Sequence, residues 1–255
     1  MQQIKGIFGL IWKLYIVLVF FVFAVLFYPF FWALQLNESW RQFGFKIFIL
    51  WSWMIRIFCF YPVRFKENAP LPKAPFIIVA NHSSYLDIFL LPSIMPQHPF
   101  AFLGKAEILR YPIVRTYFKA LNIPVYRKDK SKAGQAFVQA KKAIESGWSI
   151  VIFPEGTISE VNIPQLLPFK NGAFRLAKDL KVPILPLTFT QNFHLFSDPT
   201  IILGPAHPGV VDVYVHPFIS AEEIEVSTVD DLSKKCFDLI EAPLKMAHPE
   251  LMKKM

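Results

Sequence analysis

Apolar and polar positions set two different rhythms along this chain, one in its first sixth and another after the prolines near residue 70. From Leu14 to Leu36 no residue is charged, and at about 1.5 Å of rise per residue a helix of that length matches the hydrocarbon core of a bilayer. The pattern predicts a helix in or on a membrane. Pro29 kinks or ends it, so a full span and a hairpin dipping into one leaflet are both open. The run is too long for the apolar core of a cleavable leader, and Phe30-Phe31-Trp32 stands where cleavage needs small residues, so the segment is expected to be retained. A second apolar run, Phe43 to Pro62, is interrupted by Lys46 and Arg56. At helical spacing Arg41, Gln42, Lys46, Ser52 and Arg56 share an arc of about 140°, with Phe43, Ile47, Leu50, Met54 and Phe58 opposite. Phe45, Ile49 and Trp53 fall inside the polar arc. A buried core helix would give a similar spacing, but two tryptophans and two cations at this density favour a helix at a membrane surface. Lys5 and Lys13 on one side and Arg41 and Lys46 on the other leave its orientation undecided.

Beyond Leu71 the rhythm becomes that of alternating strands and helices, entered through Pro70, Pro72 and Pro75. Short apolar or β-branched runs at Phe76 to Ala80, Phe100 to Leu103, Ile123 to Tyr126, Ser149 to Phe153, Ile184 to Phe189 and Val211 to His216 suit a largely buried sheet. Helical patterns lie at Tyr85 to Leu91, Lys132 to Ser146, Ala173 to Leu180 and Val229 to Ala242. The expected fold is therefore α/β, a mixed and mostly buried sheet flanked by helices, at residues 66–255, behind a membrane-associating helical segment at residues 1–65.

Composition adds a setting. The 255 residues are 54% hydrophobic and 18% charged, with a net charge of +8, which points to an anionic partner surface. Nucleic acid would call for a basic stripe with stacking aromatics, whereas here the aromatics concentrate in the N-terminal runs and the lysines are scattered. Phospholipid head groups and phosphate-bearing substrates fit better. Cys59 and Cys236 make no disulfide framework, and His98, His194, His207, His216 and His248 form no metal-ligand spacing, so neither a metal nor a bound cofactor is expected.

Candidate chemistry begins just past the first buried strand, in Ala80-Asn81-His82-Ser83-Ser84-Tyr85-Leu86-Asp87. A neutral imidazole can take a proton from a hydroxyl, and a carboxylate on its other nitrogen fixes the tautomer and stabilises the imidazolium. With a helix starting near Ser83 or Ser84, Asp87 sits on its first turn and can reach back to His82. Ser84 to Asp87 also reads as a capping pattern, in which Asp87 merely satisfies helix amides. A second cluster, Phe153-Pro154-Glu155-Gly156-Thr157, ends another buried strand. Its glycine permits close approach of backbone to a ligand, while Glu155 and Thr157 supply polar contacts; an ordinary strand-to-loop turn is the plainer alternative. Farther on, Lys170 and the amides near Gly172, at a helix start, could meet an anion, although a solvated loop lysine is equally consistent.

Together these blocks resemble the glycerolipid acyltransferase family, which includes the 1-acyl-glycerol-3-phosphate acyltransferases. Asn81 to Asp87 and Phe153 to Thr157 carry the resemblance, Val125-Tyr126-Arg127 and Val182-Pro183-Ile184-Leu185-Pro186-Leu187 match two further blocks, and Lys105 and Glu107 stand at familiar positions. It covers residues 75 to 190 and rests on four ordered blocks. The resemblance implies catalysis by His82 and Asp87 and substrate binding by Asn81, Lys105, Arg127, Glu155, Gly156 and Thr157, with Arg127 on the acceptor's phosphate. It implies a lysolipid acceptor, acyl-CoA or acyl-carrier protein as donor, membrane phospholipids as surroundings, and a bacterial inner membrane with the catalytic domain on the cytoplasmic side. One position departs from the family: Ile158 follows Glu155-Gly156-Thr157, where an arginine for the acceptor's phosphate is usual. Isoleucine does not replace a bidentate arginine. Either Lys105, Arg127 and Lys170 suffice, or the acceptor is a lysophospholipid or acylated amino acid without a phosphomonoester. An acyl-serine route through Ser83 or Ser84, a hydrolase or thioesterase, and a noncatalytic membrane module are the rival classes; no Gly-x-Ser-x-Gly elbow supports the hydrolase.

Overall fold

In a computed structural model describing residues 2–127, 129–158 and 163–249, the chain begins with helix α1, Gln2–Ala33, whose apolar run continues through a 3₁₀ turn at Leu34–Leu36. Pro29 lies inside this helix and does not end it. Helix α2, Arg41–Phe58, follows after a second 3₁₀ turn. The α/β part runs β1 Val63–Asn68, β2 Ile77–Ala80, α3 Leu86–Ile94, β3 Phe100–Lys105, α4 Pro112–Leu121, β4 Ile123–Val125, α5 Lys130–Glu145 and β5 Ser149–Ile152. It ends with α6 Gly172–Leu180, β6 Ile184–Phe189, the short α7 Asn192–Leu195, β7 Val211–Val215, α8 Ala221–Val226 and α9 Val229–Ala247.

The strands form one sheet in the order β1-β7-β6-β2-β5-β3-β4. β6, β2, β5, β3 and β4 run parallel, β7 is antiparallel to β6, and β1 runs parallel to β7. All four residues of β2 are buried, as expected for a strand covered on both faces. The crossover from β2 to β3 runs toward one edge of the sheet, and that from β5 to β6 runs toward the other. With right-handed connections this puts α3 on one face and α6 on the other, and opens a crevice at the carboxyl ends of β2 and its neighbours.

All six expected strands are present within a residue or two, and the sheet is mixed and mostly buried as anticipated. Four elements escape the sequence patterns: β1, α4 and the short α7 and α8. β1 alternates Val63-Arg64-Phe65-Lys66-Glu67-Asn68 and is largely exposed, because it is an edge strand and needs apolar residues on one side only. It also runs across residue 65, where the membrane-associating segment was expected to give way to the α/β domain. α4 starts at a proline in its first turn, an entry that favours a helix without demanding one.

The helices α1 and α2 do not stand apart from the sheet: Ile16, Phe31, Phe45 and Trp51 belong to the same buried cluster as Phe76 and Ile150. The faces of α2 are also placed differently from the expectation. Phe43, Leu50 and Phe58, opposite the polar arc, are exposed, whereas Phe45, Trp51, Ser52 and Ile55 are buried. Phe45 packs edge-on against Phe100 at 5.0 Å, and Trp51 lies 4.7 Å from the Tyr117 ring. The arginines of the arc turn onto protein. Arg41 sits 4.2 Å over Trp148 and donates to Leu121 O, and Arg56 sits 4.4 Å over Trp53 and donates to Ser93 Oγ. Aromatic faces and oxygen acceptors replace the water these guanidiniums would otherwise need. The exposed side of the helix pair is apolar. On α1 it follows Ile7, Ile11, Leu14, Leu18, Val22 and Val25, a helical stripe left uncovered while the other side of the helix packs on protein.

The closest crossing tests this packing. A Cβ on Gly44 would overlap Leu34 Cδ1, itself buried, whereas Gly134 on the exposed side of α5 has open space around it. Gly44→Ala is expected to lower stability by about 1–3 kcal/mol through overpacking, and Gly134→Ala to be neutral or to stabilise by roughly 0.5–1 kcal/mol. Denaturant titration of the two variants side by side checks this; equal effects would contradict the crossing.

Candidate active site

The carboxyl ends of the parallel strands hold the motif residues, in the order of the strands themselves. β2 ends at Ala80 and releases Asn81 and His82, β5 releases Phe153 to Thr157, β3 ends in Lys105, and Arg127 lies just past β4. His82 Nδ1 lies 2.9 Å from Asp87 Oδ2. A carboxylate only accepts, so Nδ1 carries the hydrogen and Nε2 is left with its lone pair. The His82 ring lies flat on Phe153, with centroids 4.1 Å apart and planes 14° from parallel, which fixes the second degree of freedom of the imidazole.

The expected helix cap and the expected reach back to His82 are both present, on the same oxygen of Asp87. Oδ2 also accepts from the amides of Ser83 at 2.9 Å and Ser84 at 3.0 Å, while Oδ1 accepts from Asn192 Nδ2. Asp87 is wholly buried in the first turn of α3. Ser84 Oγ is committed to Phe196 O and to the Leu86 amide, and Ser83 Oγ is buried with no hydrogen-bond partner. Neither hydroxyl is held by His82, so the acyl-serine route lacks its serine-histidine hydrogen bond.

Two residues expected to touch substrate have other tasks. Asn81 donates through Nδ2 to Phe189 O at 2.9 Å and accepts from the Phe189 amide at 2.8 Å. With both ends of its amide used and its side chain buried, it joins the ends of β2 and β6 at the wall of the cleft beside His82. Glu155 is buried as well. Its Oε1 accepts from the His82 amide and its Oε2 from the Leu167 amide, each at 2.9 Å. Glu155 therefore sets the backbone that carries the imidazole. Burial pushes its carboxyl up to about 7, with the two amides pulling the other way.

The cations gather on the β5–β3–β4 side. Lys105 Nζ donates to Thr157 Oγ1 at 3.0 Å. Gly156 has φ +74°, a turn that favours glycine, and Lys170 is folded over it, its Nζ 2.8 Å from where a Cβ would lie. Lys170 is anchored by its amide on Pro154 O at 2.9 Å, and Gly172 opens α6 immediately after it. Arg127 is exposed at the far end of this row, within electrostatic reach of Glu107. Ile158, partly buried, supplies no donor from its side chain.

A cleft of about 10 Å³, room for about one water, adjoins His82, Ser83 and Glu155 beneath Ile163, Pro164, Gln165 and Leu166. A larger groove of about 700 Å³ lies between β7 and α9, around Tyr214, His216 and Met246, and contains none of the motif residues. Size thus does not locate the chemistry here; the carboxyl edge of the sheet does. Among the described residues no cluster could hold a metal ion. Sequence patterns missed Asn192 and the stacking role of Phe153. The signal for Asn192 was present as Thr190-Gln191-Asn192, a polar run directly behind a fully buried strand.

The model of the acyltransferase family matches residues 62–190. A 1-acyl-sn-glycerol-3-phosphate acyltransferase of Saccharomyces cerevisiae is 33% identical over 184 residues, 71% of this chain and 58% of that protein. A chloroplast protein of the same description from Arabidopsis thaliana is 30% identical over 197 residues, 76% of this chain and 53% of its own length. The chain thus spans little more than half the length of these relatives. The crystal structure of a 1-acyl-sn-glycerophosphate acyltransferase from Thermotoga maritima superposes with a TM-score of 0.76 over 97% of this chain and 98% of that one, at 24% identity, a likeness of fold.

Glu155 makes the site sensitive to pH in a stated direction. Its folded-state value near 7 lies above the usual 4.5, so its contribution to stability is full below the unfolded value and is lost as pH rises through the folded one. The stability difference between the native protein and Glu155→Gln should therefore shrink between about pH 5 and about pH 8. Thermal melts of both proteins across that window check this, and a constant difference would mean that Glu155 does not titrate there.

Proposed function

Because this chain belongs to the acyltransferase family, we propose that it moves a fatty acyl group from a thioester, acyl-CoA or acyl-carrier protein, to the hydroxyl of a lysolipid. The supporting observation is the His82–Asp87 pair, 2.9 Å apart at the carboxyl edge of the sheet, with Nδ1 on the carboxylate and Nε2 turned away from it. In this reading Nε2 takes the proton as the acceptor oxygen attacks the thioester carbonyl, and Asp87 stabilises the imidazolium that forms. Collapse of the tetrahedral intermediate breaks the carbon–sulfur bond, and the leaving thiolate recovers the proton from His82. Asp87 itself stays ionised throughout. His82, Asp87 and the loop bearing Gly156 and Thr157 come from this chain, and no metal or bound cofactor takes part in the proposed steps.

The acceptor we favour is 1-acyl-glycerol-3-phosphate, giving phosphatidate. Relatives described as acting on it are similar over the site-bearing half of the chain, and Lys105 and Lys170 converge on the Gly156–Thr157 loop. Ile158 supports a second reading, in which the acceptor is a lysophospholipid or acylated amino acid. The apolar stripe of α1, part of a run from Gly6 to Leu36 that is long and apolar enough to cross a membrane, supports work on a membrane surface. Since α1 packs along its other side on the α/β domain, we read it as lying in one leaflet and not crossing both. Relatives from yeast and chloroplasts match 71% and 76% of the chain, so the proposal concerns a membrane surface and not the bacterial inner membrane in particular.

An acceptor screen with a labelled acyl donor tests the activity. Lysophosphatidate should be acylated, with Ile158→Arg raising its turnover relative to lysophospholipids; transfer only to acceptors lacking a phosphomonoester would move the assignment to the second reading. His82→Ala should lose roughly 10²–10⁴-fold in turnover while still folding, and Asp87→Asn, which keeps the volume and one acceptor oxygen, should lose a similar factor. Asn192→Ala should lose about tenfold, the scale of one hydrogen bond to a charged group. Near-normal turnover of His82→Ala would end the proposed mechanism.

A further inference from the structure

The loop behind α7 turns its aliphatic residues outward and its polar groups inward, the reverse of an ordinary surface loop. It is a narrow hairpin: Phe196 and Ala206 form an antiparallel bridge, and the Ser197 amide donates to Pro205 O at 3.0 Å. From Pro199 to Ala206 no residue is charged. The acid at its base, Asp198, is nearly buried and accepts from the amide and hydroxyl of Thr200. At the tip, Ile201, Ile202 and Leu203 are 37%, 63% and 59% exposed.

This tip is held against the first turns of α1. Lys13, buried on that helix, donates to Ile201 O at 2.5 Å and to Asp198 O at 3.4 Å. Two glycines let the chains approach: a Cβ on Gly6 would lie 3.3 Å from Leu203 Cβ, and one on Gly9 3.0 Å from Gly204 O. Gly6 and Gly9 flank Ile7 and Phe8, which are exposed. The aliphatic tip therefore adjoins the uncovered stripe of α1 along one of its edges. Along the other, Trp12 packs near Phe60, and Tyr15 Oη donates to Phe58 O, both phenylalanines being exposed. The base of the hairpin is tied inward, through Ser84 Oγ on Phe196 O at 2.7 Å, to the loop that carries His82.

We propose that the hairpin tip Ile201-Ile202-Leu203 is a second lipid contact, entering the acyl region of the bilayer beside α1 and fixing how the catalytic edge sits on the membrane. This rests on the membrane-surface reading given above. Its occupant is a lipid surface because the tip adjoins the apolar stripe of α1, carries no charge, and exposes aliphatic side chains without a recess that would select a peptide. The lysine that would oppose burial in lipid is spent on the carbonyls of the hairpin itself.

Both native cysteines are buried, so a cysteine introduced at the surface can be labelled selectively. A fluorophore would be placed in turn at Ile202, at Leu18 on the α1 stripe, and at Lys141 on exposed α5. Each full-length protein would then be reconstituted in vesicles of equal parts phosphatidylethanolamine and phosphatidylglycerol, with and without brominated acyl chains. Bromolipid should quench the probe at residue 202 to an extent comparable with residue 18, and leave residue 141 unchanged. Quenching at 18 with none at 202 would overturn the hairpin contact and keep the α1 reading; quenching at neither would overturn both. A lipid-independent change at 202 that grows with protein concentration would give the tip to a second copy of the chain and overturn the proposal. As a functional arm, Ile202→Glu should lower turnover of a vesicle-borne acceptor several-fold and leave a water-soluble short-chain acceptor unaffected. Equal loss on both would mean that the hairpin acts through folding and would overturn the proposed role.

Discussion

A single buried carboxylate holds the site together. Asp87 accepts from the His82 ring, the Ser83 and Ser84 amides and the Asn192 side chain, so it joins the end of β2, the start of α3 and the turn behind β6. A carboxylate without water is tolerated only when such donors surround it. The same set of bonds defines the imidazole's tautomer and aims its free nitrogen outward. The helix cap and the bond to the imidazole therefore fall on one carboxylate, and the two geometries do not exclude each other. Glu155 repeats the device one strand away, on the amides of His82 and Leu167.

This arrangement explains which parts of the molecule were legible in the sequence. Strands buried on both faces write themselves as short apolar runs, and β2, β5 and β6 were read almost to the residue. The His82–Asp87 spacing was equally clear, because five positions are enough to reach back across one helical turn. What could not be read was the direction of side chains whose partners lie far along the chain. Asn81 pairs with Phe189 and Asp87 with Asn192, separations of about a hundred residues that no local pattern encodes. β1 was missed for a related reason: an edge strand with a single partner can be polar over most of its length.

The N-terminal helices show the same limit in another form. Hydropathy alone marks α1 and α2 as membrane-seeking, but it does not say which face meets protein. In α2 the arginines of the polar arc cover Trp148 and Trp53 and reach oxygens of neighbouring elements, while part of the apolar side stays exposed. A cation in a protein core is costly unless aromatic faces and acceptors meet it. Here they meet Arg41 and Arg56, which are half-buried, while Lys46 stays exposed beside part of the helix's hydrocarbon. An apolar surface made in this way is continuous with the catalytic domain, and the helices need not cross the bilayer to hold the site at its surface.

The geometry of the sheet edge also bears on the departure at Ile158. Neighbouring strands lie about 4.8 Å apart, and along the edge His82 on β2 is followed by the Gly156–Thr157 loop on β5, Lys105 on β3 and Arg127 past β4. Lys105 reaches back one strand to Thr157. Lys170, folded over Gly156, brings a second charge to the same loop. A phosphate bound there would meet two ammonium groups instead of the planar fork of an arginine. Lysines act as point charges on flexible stems and set no fixed orientation, so an acceptor held this way is selected by charge and distance more than by the shape of its phosphate. Under the proposed function, two such lysines would hold a phosphomonoester and also tolerate a substituted phosphate.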